Sequence, residues 1–471
     1  MITFALIDVI IILVYLVFIV AIGLGFWGAR GSDAAEYLVA GRTVSLPAFV
    51  ATVVATWYGG ILGTGEFSYS YGLLNWLALG GFYYVFAIVF ALFLADKVRS
   101  ASLYTIPDRF AQYYGRIPAL LASGLAFVMV SPAPYVLMLG VLIQAVAGWP
   151  LWISVAIGTV LSTFYVAHGG LRTDIRVNIF QFALMFAGFG ILLPLAYSHF
   201  GGMDYLRANL PETHLTITGG QSTMYVVVWF FIAIWTLVDP GFHQRCYAAK
   251  SGKVASRGIL ISVCFWFVFD FLTTFSGLYA RAALPELADP KMSYLALAEL
   301  ILPPILKGFF FVGILATIMS TVLSYTFLGA VTIGRDVIWR VRGETTEENL
   351  RAYTRIGLQA TGVLAVILSL AIPSVVELWY AIGSICVPGL LAPLLGSYFG
   401  RKRMSSGACL LSMLGGFGTS LVWFIGGQMN RVDGWPVYWL NNLEPMLPGL
   451  LVSFLILFTG SKSPSTISNK D

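Results

Sequence analysis

Residues 234–245 read IWTLVDPGFHQR, and they interrupt a run of apolar residues that is otherwise long enough to cross a membrane. An ionised Asp239 inside a bilayer costs roughly 2.5–3.5 kcal/mol on insertion scales. Pro240 removes a backbone donor, and Gly241 weakens a helix further. The stretch therefore predicts a helix that breaks at membrane depth, with a simple kink at Pro240 as the alternative interpretation.

The composition of the whole chain is that of a membrane protein. The 471 residues are 58% hydrophobic and only 10% charged, whereas soluble domains carry about 25% charged residues. The sequence predicts an all-α polytopic membrane protein, which excludes a soluble enzyme and a nucleic-acid-binding domain.

About 20 apolar residues are needed to cross the hydrocarbon of a bilayer. On that criterion the sequence predicts thirteen transmembrane helices, over residues 4–27, 45–66, 73–95, 117–147, 151–167, 175–198, 223–247, 257–281, 304–338, 355–373, 376–399, 404–426 and 443–460.

The distribution of basic residues predicts the orientation of these helices. With the N-terminus outside and the C-terminus cytoplasmic, all but five of the 27 Lys and Arg residues fall on the cytoplasmic side. The five outer ones are Arg207, Arg281, Lys291, Lys307 and Arg431. Such an excess is the usual signature of cytoplasmic loops.

A second predicted helix is also interrupted, over residues 45–67, SLPAFVATVVATWYGGILGTGEF. Four glycines in seven residues make a poor helix interior. The two interrupted helices are the second and the seventh, five apart and opposite in direction, which is typical of an inverted repeat with its binding site between the breaks. The predicted organisation is an extra N-terminal helix (1–30), a first five-helix repeat (43–200), an inverted second repeat (220–400), two C-terminal helices (401–460) and a polar cytoplasmic tail (461–471).

Four hydroxyl side chains share one face of the ninth predicted helix. Thr317, Ser320, Thr321 and Ser324 are spaced i, i+3, i+4 and i+7, which places them on one stripe. Such a stripe either bonds helices to each other or supplies neutral oxygens to a cation. The pattern alone leaves both interpretations open.

At this point the sequence resembles the sodium:solute symporters, relatives of the bacterial sodium/galactose and sodium/proline symporters, from about residue 37 to residue 400. The resemblance is carried by six stretches in order: YLVAGR (37–42), YTIPDRF (104–110), GGL from residue 169 with Gln181, QRCYAAKS (244–251), LYARAALPEL (278–287), and ATIMST followed by GRD (334–336).

The resemblance implies a leucine-transporter-like core of ten helices in a 5+5 inverted repeat, preceded by one helix and followed by two. It also implies one sodium ion between the first broken helix and the hydroxyl-bearing helix. The sodium ligands carried over are the carbonyls of Ala55, Tyr58 and Thr317 and the hydroxyls of Ser320 and Thr321.

A second sodium site occurs in some members of that family, and the sequence casts doubt on it here. Asn178 stands where those members have Asp, and of a serine pair only Ser324 remains, beside Leu323. We take Asn178, Ser324 and the intramembrane Asp270 as candidates for a second ion or a proton. A structural hydrogen-bond network is the alternative for Asp270.

Aromatic residues and glycine at a helix break suit a solute, because rings enclose a ligand and glycine lets the backbone approach it. The candidate solute-binding residues are Trp57, Tyr58, Gly59, Trp235 and Asp239, followed by Tyr135 and Tyr380. Other interpretations stay open: the two tryptophans as packing residues, Tyr135 as a neighbour of two prolines in a kinked segment, and Asp239 as the cap of the half-helix that follows it.

The predicted function is sodium-coupled symport of a small polar organic solute into the cell by alternating access. A proton-coupled carrier or exchanger on the same fold is the alternative. No HExxH, GxSxG or CxxC pattern points to an enzyme. We expect a monomer in the plasma membrane whose partners are the solute, Na+ and the lipid bilayer, with no nucleic acid.

Overall fold

The computed structural model describes residues 2–23, 34–344, 349–400, 403–432 and 435–462. Residues 24–30 of the predicted N-terminal unit, residues 401–402, and residues 463–471 of the predicted tail lie outside these ranges. The described chain is almost entirely helical. Two short antiparallel pairs are its strands: β1 (Arg403–Met404) with β4 (Ser461–Lys462), and β2 (Arg431–Val432) with β3 (Trp435–Pro436).

Ten helices of the described chain are long and apolar enough to cross a membrane, and three more are shorter and apolar. In chain order the thirteen are Leu6–Gly23 (α1), Leu46–Tyr71 (α2), Trp76–Ser100 (α3), Arg116–Ala147 (α4), Leu151–Val160 (α5), Gly170–Phe200 (α6), Thr223–Ala248 (α7), Gly252–Ala283 (α8), Leu306–Arg342 (α9), Leu350–Ala371 (α10), Val375–Phe399 (α11), Ser406–Met429 (α12) and Met446–Gly460 (α13). Each of the thirteen predicted spans overlaps one of them. The helical backbone continues from α5 into α6 through a turn at Gly170, whose φ is 62°.

The break predicted in α2 is a short tightening of the helix. The helix Leu46–Trp57 passes into a 3₁₀ turn at Tyr58–Gly60, and Ile61–Tyr71 continues as an α-helix. The turn contains two glycines, which lower the free-energy cost of changing from i→i+4 to i→i+3 hydrogen bonding. The helix is therefore interrupted where the sequence predicted it, but the backbone is not extended there.

The break in α7 is more pronounced. Residues Ala233–Val238 form a 3₁₀ segment, and Asp239 has extended backbone angles, φ −66° and ψ 118°. A new helix starts at Pro240, and Asp239 Oδ1 accepts a hydrogen bond from the backbone N–H of Phe242 at 2.8 Å. Asp239 thus caps the second half-helix, as one of the sequence interpretations predicted.

The helix α9 lies at the centre of the molecule. Every residue from Phe310 to Thr332 is buried. A Cβ atom built on Gly313 would lie 2.9 Å from the carbonyl oxygen of Leu184 and 3.0 Å from the Cα of Gly188 on α6. The two backbones are therefore in direct contact, a spacing that only glycine permits.

The first helix is joined to the start of α9 by one buried carboxylate. Asp8 Oδ1 accepts hydrogen bonds from the backbone N–H groups of Ile305 at 2.7 Å and Gly308 at 3.0 Å. Its other oxygen accepts from Ala5 N at 3.0 Å. The carboxylate thus satisfies amides at two helix starts that otherwise have no intrahelical partner.

Ion pairs connect charged residues that lie in or beside the quoted motifs. Arg335 on α9 forms ion pairs with Asp108 at 2.7 Å and with Asp336 at 3.0 Å. Arg172 on α6 pairs with Glu36, which precedes α2. The hydrogen bond from this guanidinium holds the pKa of Glu36 below its ordinary value. The motifs thus join neighbouring helix ends to each other.

We expect Asp8→Ala to destabilise the protein by about 1–3 kcal/mol, because it leaves buried backbone amides of α1 and α9 without an acceptor. The unfolding midpoint of the purified protein in detergent measures this effect. Asp204→Ala is the matched control, because the Asp204 side chain is fully exposed and pairs only with the exposed Arg207. Equal midpoints for the two variants would contradict the tethering role of Asp8.

Candidate functional site

The hydroxyl stripe of α9 faces the interrupted part of α2. Ser320 Oγ lies 2.8 Å from the carbonyl oxygens of both Ala55 and Thr317. Thr321 Oγ1 donates to the carbonyl oxygen of Thr56 at 2.6 Å. The Ser320 hydroxyl has one proton for two carbonyl acceptors, so this is a small cluster of oxygens that is rich in lone pairs.

Tyr58, the remaining predicted ligand, lies in the 3₁₀ turn that packs on α9. A Cβ atom built on the neighbouring Gly59 would overlap Thr321, so the turn approaches the hydroxyl stripe as closely as a backbone can. The structure therefore brings Ala55, Thr317, Ser320 and Thr321 together and places the Tyr58 turn against them.

Thr56 belongs to this cluster and was not predicted. Its carbonyl accepts from Thr321, and its hydroxyl lies 3.3 Å from a nitrogen of Arg245. The sequence held a signal for it, because Thr56 lies between Ala55 and Tyr58, whose carbonyls were the predicted sodium ligands on α2. The exact register of a helix break is not readable from glycine content.

A second polar cluster lies next to the first, around a buried guanidinium. Arg245 is 2% exposed, and its Nη2 lies 2.8 Å from both Asp174 Oδ2 and Ser324 Oγ. Ser324 in turn donates to Asp174 Oδ1 at 2.7 Å. The Asn178 side chain donates to Thr52 at 2.9 Å and lies 3.4 Å from Ser324.

The predicted residues for a second ion are thus only partly together. Asn178 and Ser324 do lie close to each other, but Ser324 accepts a hydrogen bond from the Arg245 guanidinium. Asp270 lies elsewhere, on the wall of a cavity. Sequence reasoning missed Asp174 and Arg245, although Asp174 precedes Asn178 by one helical turn and Arg245 ends the stretch that broke α7.

Beside the oxygen cluster is a cavity whose volume is about 800 Å³ when the space open to solvent is included. Its walls come from α2, α3, α4, α7, α8, α9 and α11. The lining residues are Trp57, Tyr58, Gly60, Thr64, Leu79, Tyr83, Met129, Ser131, Pro134, Tyr135, Trp235, Asp239, Asp270, Tyr325, Trp379 and Ile382.

Five of the seven predicted solute-binding residues line this cavity. They are Trp57, Tyr58, Tyr135, Trp235 and Asp239. Trp57 also packs its ring on Tyr83 and Phe242, with centroids 5.3 and 5.1 Å away, so it serves both of the roles that the sequence left open.

The other two predicted solute-binding residues, Gly59 and Tyr380, are not among the described residues that line the cavity. Gly59 faces Thr321, and its neighbour Gly60 faces the cavity. The Tyr380 hydroxyl donates to Glu444 in the loop before α13, while Trp379 lines the cavity. One residue along a helix rotates the side chain by about 100°, so each predicted residue lies next to a cavity-lining residue on the same helix.

Two carboxylates face the cavity. Asp239 Oδ2 accepts a hydrogen bond from the Tyr325 hydroxyl at 3.0 Å. Asp270 accepts from the Tyr84 hydroxyl and is 1% exposed. Within the part of the chain that the structure describes, neither carboxylate has an ion-pair partner. Tyr84 and Tyr325 were not predicted, because a tyrosine in an apolar helix gives no separate signal.

Comparison with known proteins fits this arrangement. A family model described as the Sodium:solute symporter family matches residues 37–416. The sodium/pantothenate symporter of Escherichia coli (strain K12) is 26% identical, with 95% of each chain covered. The osmoregulated proline transporter OpuE of Bacillus subtilis (strain 168) is 24% identical, with 90% of each chain covered. The high affinity choline transporter 1 of Homo sapiens is 25% identical over 78% of this chain and 68% of its own.

Solved structures show the same fold. A substrate-bound, outward-open Na+-coupled sialic acid symporter superposes with a TM-score of 0.77 at 15% identity, covering 98% of this chain and 99% of its own. The nucleobase-cation-symport-1 family transporter Mhp1, in a closed conformation, gives 0.59 at 14% identity, covering 91% and 94%. The fold is therefore the leucine-transporter-like fold predicted from the sequence. The chain belongs to the sodium:solute symporter family, and it is a multi-pass membrane transporter that couples solute movement to sodium.

Proposed function

We propose that this symporter imports a small polar organic solute with one sodium ion per cycle, and that the ion binds where α2 meets α9. The observation that carries the proposal is the set of three contacts between hydroxyls and carbonyls: Ser320 Oγ lies 2.8 Å from the carbonyl oxygens of Ala55 and Thr317, and Thr321 Oγ1 lies 2.6 Å from that of Thr56. Backbone carbonyls at a broken helix are the ligands that sodium takes in this class of transporter.

The geometry gives a physical reason for coupling. The stretch from Ala55 to Gly60 places its carbonyls against α9 and its side chains, Trp57 and Tyr58, in the cavity wall. An ion that holds this stretch on α9 also fixes the rings that a solute contacts. Each ligand then binds more tightly when the other is present, which is the reciprocity that symport requires.

The driving force comes from moving the ion inward. A single charge gains about 2.3 kcal/mol per 100 mV of membrane potential, in addition to its concentration gradient. Opening of the cytoplasmic side exposes the oxygen cluster to a medium that is low in sodium. Loss of the ion then frees the turn of α2, and the solute leaves.

A single sodium ion is the stoichiometry that the second cluster favours. The Arg245 guanidinium already lies between Asp174, Ser324 and Thr56, and it neutralises the one carboxylate there. A free cation at this position would have to displace a buried ion pair, whose charges are costly to separate in a low dielectric.

The finer topology belongs to the same proposal. The breaks in α2 and α7, five helices apart, support two five-helix repeats over residues 43–200 and 220–400. The basic residues support thirteen crossings, with the N-terminus outside and the C-terminus cytoplasmic. The helix α1 precedes the repeats, and α12 and α13 follow them.

Proton coupling is the second candidate, and one observation favours it. Asp239 and Asp270 are buried in the cavity wall without an ion-pair partner in the described chain, so either carboxylate is placed to exchange a proton. The relatives do not decide the charge of the solute, because the solutes in their names are an anion (pantothenate), a zwitterion (proline) and a cation (choline).

We expect Ser320→Ala combined with Thr321→Ala to weaken sodium binding at least tenfold, because it removes both hydroxyl ligands and leaves the fold of α9 intact. Binding of ²²Na+ to purified protein measures this without knowledge of the solute. Thr332→Ala is the matched control, since Thr332 is a buried threonine on α9 that bonds only its own helix, at Leu328. Unchanged ²²Na+ binding in the double variant would overturn the ion-site assignment.

We expect Asp174→Asn to destabilise the protein by about 3–5 kcal/mol, because it leaves the Arg245 charge buried and unpaired. Adding Arg245→Gln should recover a part of that loss, since two neutral amides replace the ion pair. Chemical unfolding of the wild type, of each single variant and of the double variant gives the four free energies of a double-mutant cycle. Additive effects of the two changes would show that the pair is not coupled.

Asp270→Asn distinguishes sodium coupling from proton coupling. We expect uptake by this variant to remain sodium-dependent even if it is slower, because the sodium ligands lie on α2 and α9. The measurement is uptake into proteoliposomes of choline, L-proline or pantothenate, whichever the wild type accumulates, with a sodium gradient or a pH gradient imposed separately. If the sodium response is lost in the variant while the wild type responds to pH alone, the proton-coupled alternative is correct.

A further inference from the structure

The charges that line the cavity are all of one sign. Of the sixteen residues in its wall, two have side chains that are charged when ionised at neutral pH, and both are acids, Asp239 and Asp270. No Lys, Arg or His is among these described lining residues. The two carboxylates are 2% and 1% exposed, so water screens them poorly.

The hydrogen bonds to the Asp239 carboxylate come from neutral donors. Oδ1 accepts from the backbone N–H of Phe242 at 2.8 Å, and Oδ2 accepts from the Tyr325 hydroxyl at 3.0 Å. A carboxylate has about four lone-pair positions, so acceptor capacity remains. The basic side chain closest along the helix, Arg245, is engaged by Asp174 at 2.8 Å.

Aromatic rings make up much of the remaining wall. Seven of the sixteen lining residues are aromatic: Trp57, Tyr58, Tyr83, Tyr135, Trp235, Tyr325 and Trp379. The rings of Tyr135 and Tyr325 are 5.3 Å apart, and Tyr325 is the residue that holds Asp239. The carboxylate thus shares the cavity wall with seven aromatic rings, and the negative quadrupole of a ring face attracts a cation.

These features exclude some solutes and favour others. An anion would meet two buried carboxylates and no opposite charge, which is unfavourable in a low dielectric. A sugar needs many directional hydrogen-bond partners, yet Leu79, Met129, Pro134 and Ile382 occupy much of the non-aromatic wall. A weakly hydrated organic cation satisfies both the rings and the carboxylates.

We propose that the solute carries an alkylated ammonium group, which the Asp239 carboxylate and the aromatic cavity wall bind together. The proposal rests on the proposed function, since it assigns the substrate class of the same cavity. Asp239 has two tasks in this arrangement: one oxygen caps the half-helix from Pro240, and the charge holds the ammonium group.

The test compares a cation with its uncharged copy. Choline and 3,3-dimethyl-1-butanol have the same shape, but a carbon atom replaces the charged nitrogen in the second compound. Thermal stabilisation of the purified protein in sodium buffer is measured with both, and with glycine betaine, L-proline and pantothenate. We expect choline or glycine betaine to bind at least tenfold more tightly than the neutral isostere and to bind more tightly when sodium replaces potassium.

The variant Asp239→Asn removes the charge and keeps the cap, because asparagine is also a good N-cap residue. Its affinity for the ammonium probe should fall at least tenfold, while the affinity for the neutral isostere stays within twofold. Asp204→Asn, on the exposed surface, is the control. Binding of ²²Na+ to each variant verifies that the protein is folded.

The proposal is overturned if the isostere binds as tightly as the ammonium probe, if no ammonium probe binds at millimolar concentration, if pantothenate alone binds, or if Asp239→Asn binds the cation normally. In each of these cases, retained ²²Na+ binding leaves sodium symport intact and removes only the substrate class. Loss of ²²Na+ binding in the wild type would instead refute the proposed sodium site.

Discussion

The contact between the 3₁₀ turn of α2 and the hydroxyl stripe of α9 is the constraint on which the rest of the site depends. Hydroxyls of α9 lie 2.6–2.8 Å from carbonyls of α2, and glycine at position 59 is what lets the two backbones approach. The same turn forms a wall of the cavity, so one short segment lies between the proposed ion site and the cavity. A larger residue at position 59 would push the turn away from α9 and would therefore disturb the proposed ion site and the cavity wall together.

The buried charges fall into two classes with different consequences. Arg245 and Asp174 form a buried ion pair, and with Ser324 and Asn178 they form a hydrogen-bond network across helices. Asp239 and Asp270 have hydrogen bonds but no ion-pair partner in the described chain. When ionised, the two carboxylates make the cavity wall attractive to a positive charge.

Much of the fold was readable from the sequence, because twenty-residue apolar runs and basic loops follow from the physics of the bilayer. The spacing of Thr317, Ser320 and Thr321 on one stripe was equally readable, since helical periodicity fixes it. The partners across space were not. Thr56 became a ligand candidate because the α2 break is a 3₁₀ turn, and Trp379 was not predicted because the hydropathy of an apolar helix does not show which of its sides lines a cavity. The pairing of Asp174 with Arg245 depends on how α6 packs against α7, which the sequence pattern does not show.

The glycine contact between α6 and α9 has a mechanical meaning. With Gly313 against Gly188 and the Leu184 carbonyl, no side chain lies between the two backbones, and so no rotamer change can absorb a relative tilt. We therefore expect α6 and α9 to tilt together during transport. The proposed hydroxyl ligands lie on α9, so a movement of α2 relative to this helix pair would break the hydrogen bonds of Ser320 and Thr321 to the α2 carbonyls and open the proposed ion site.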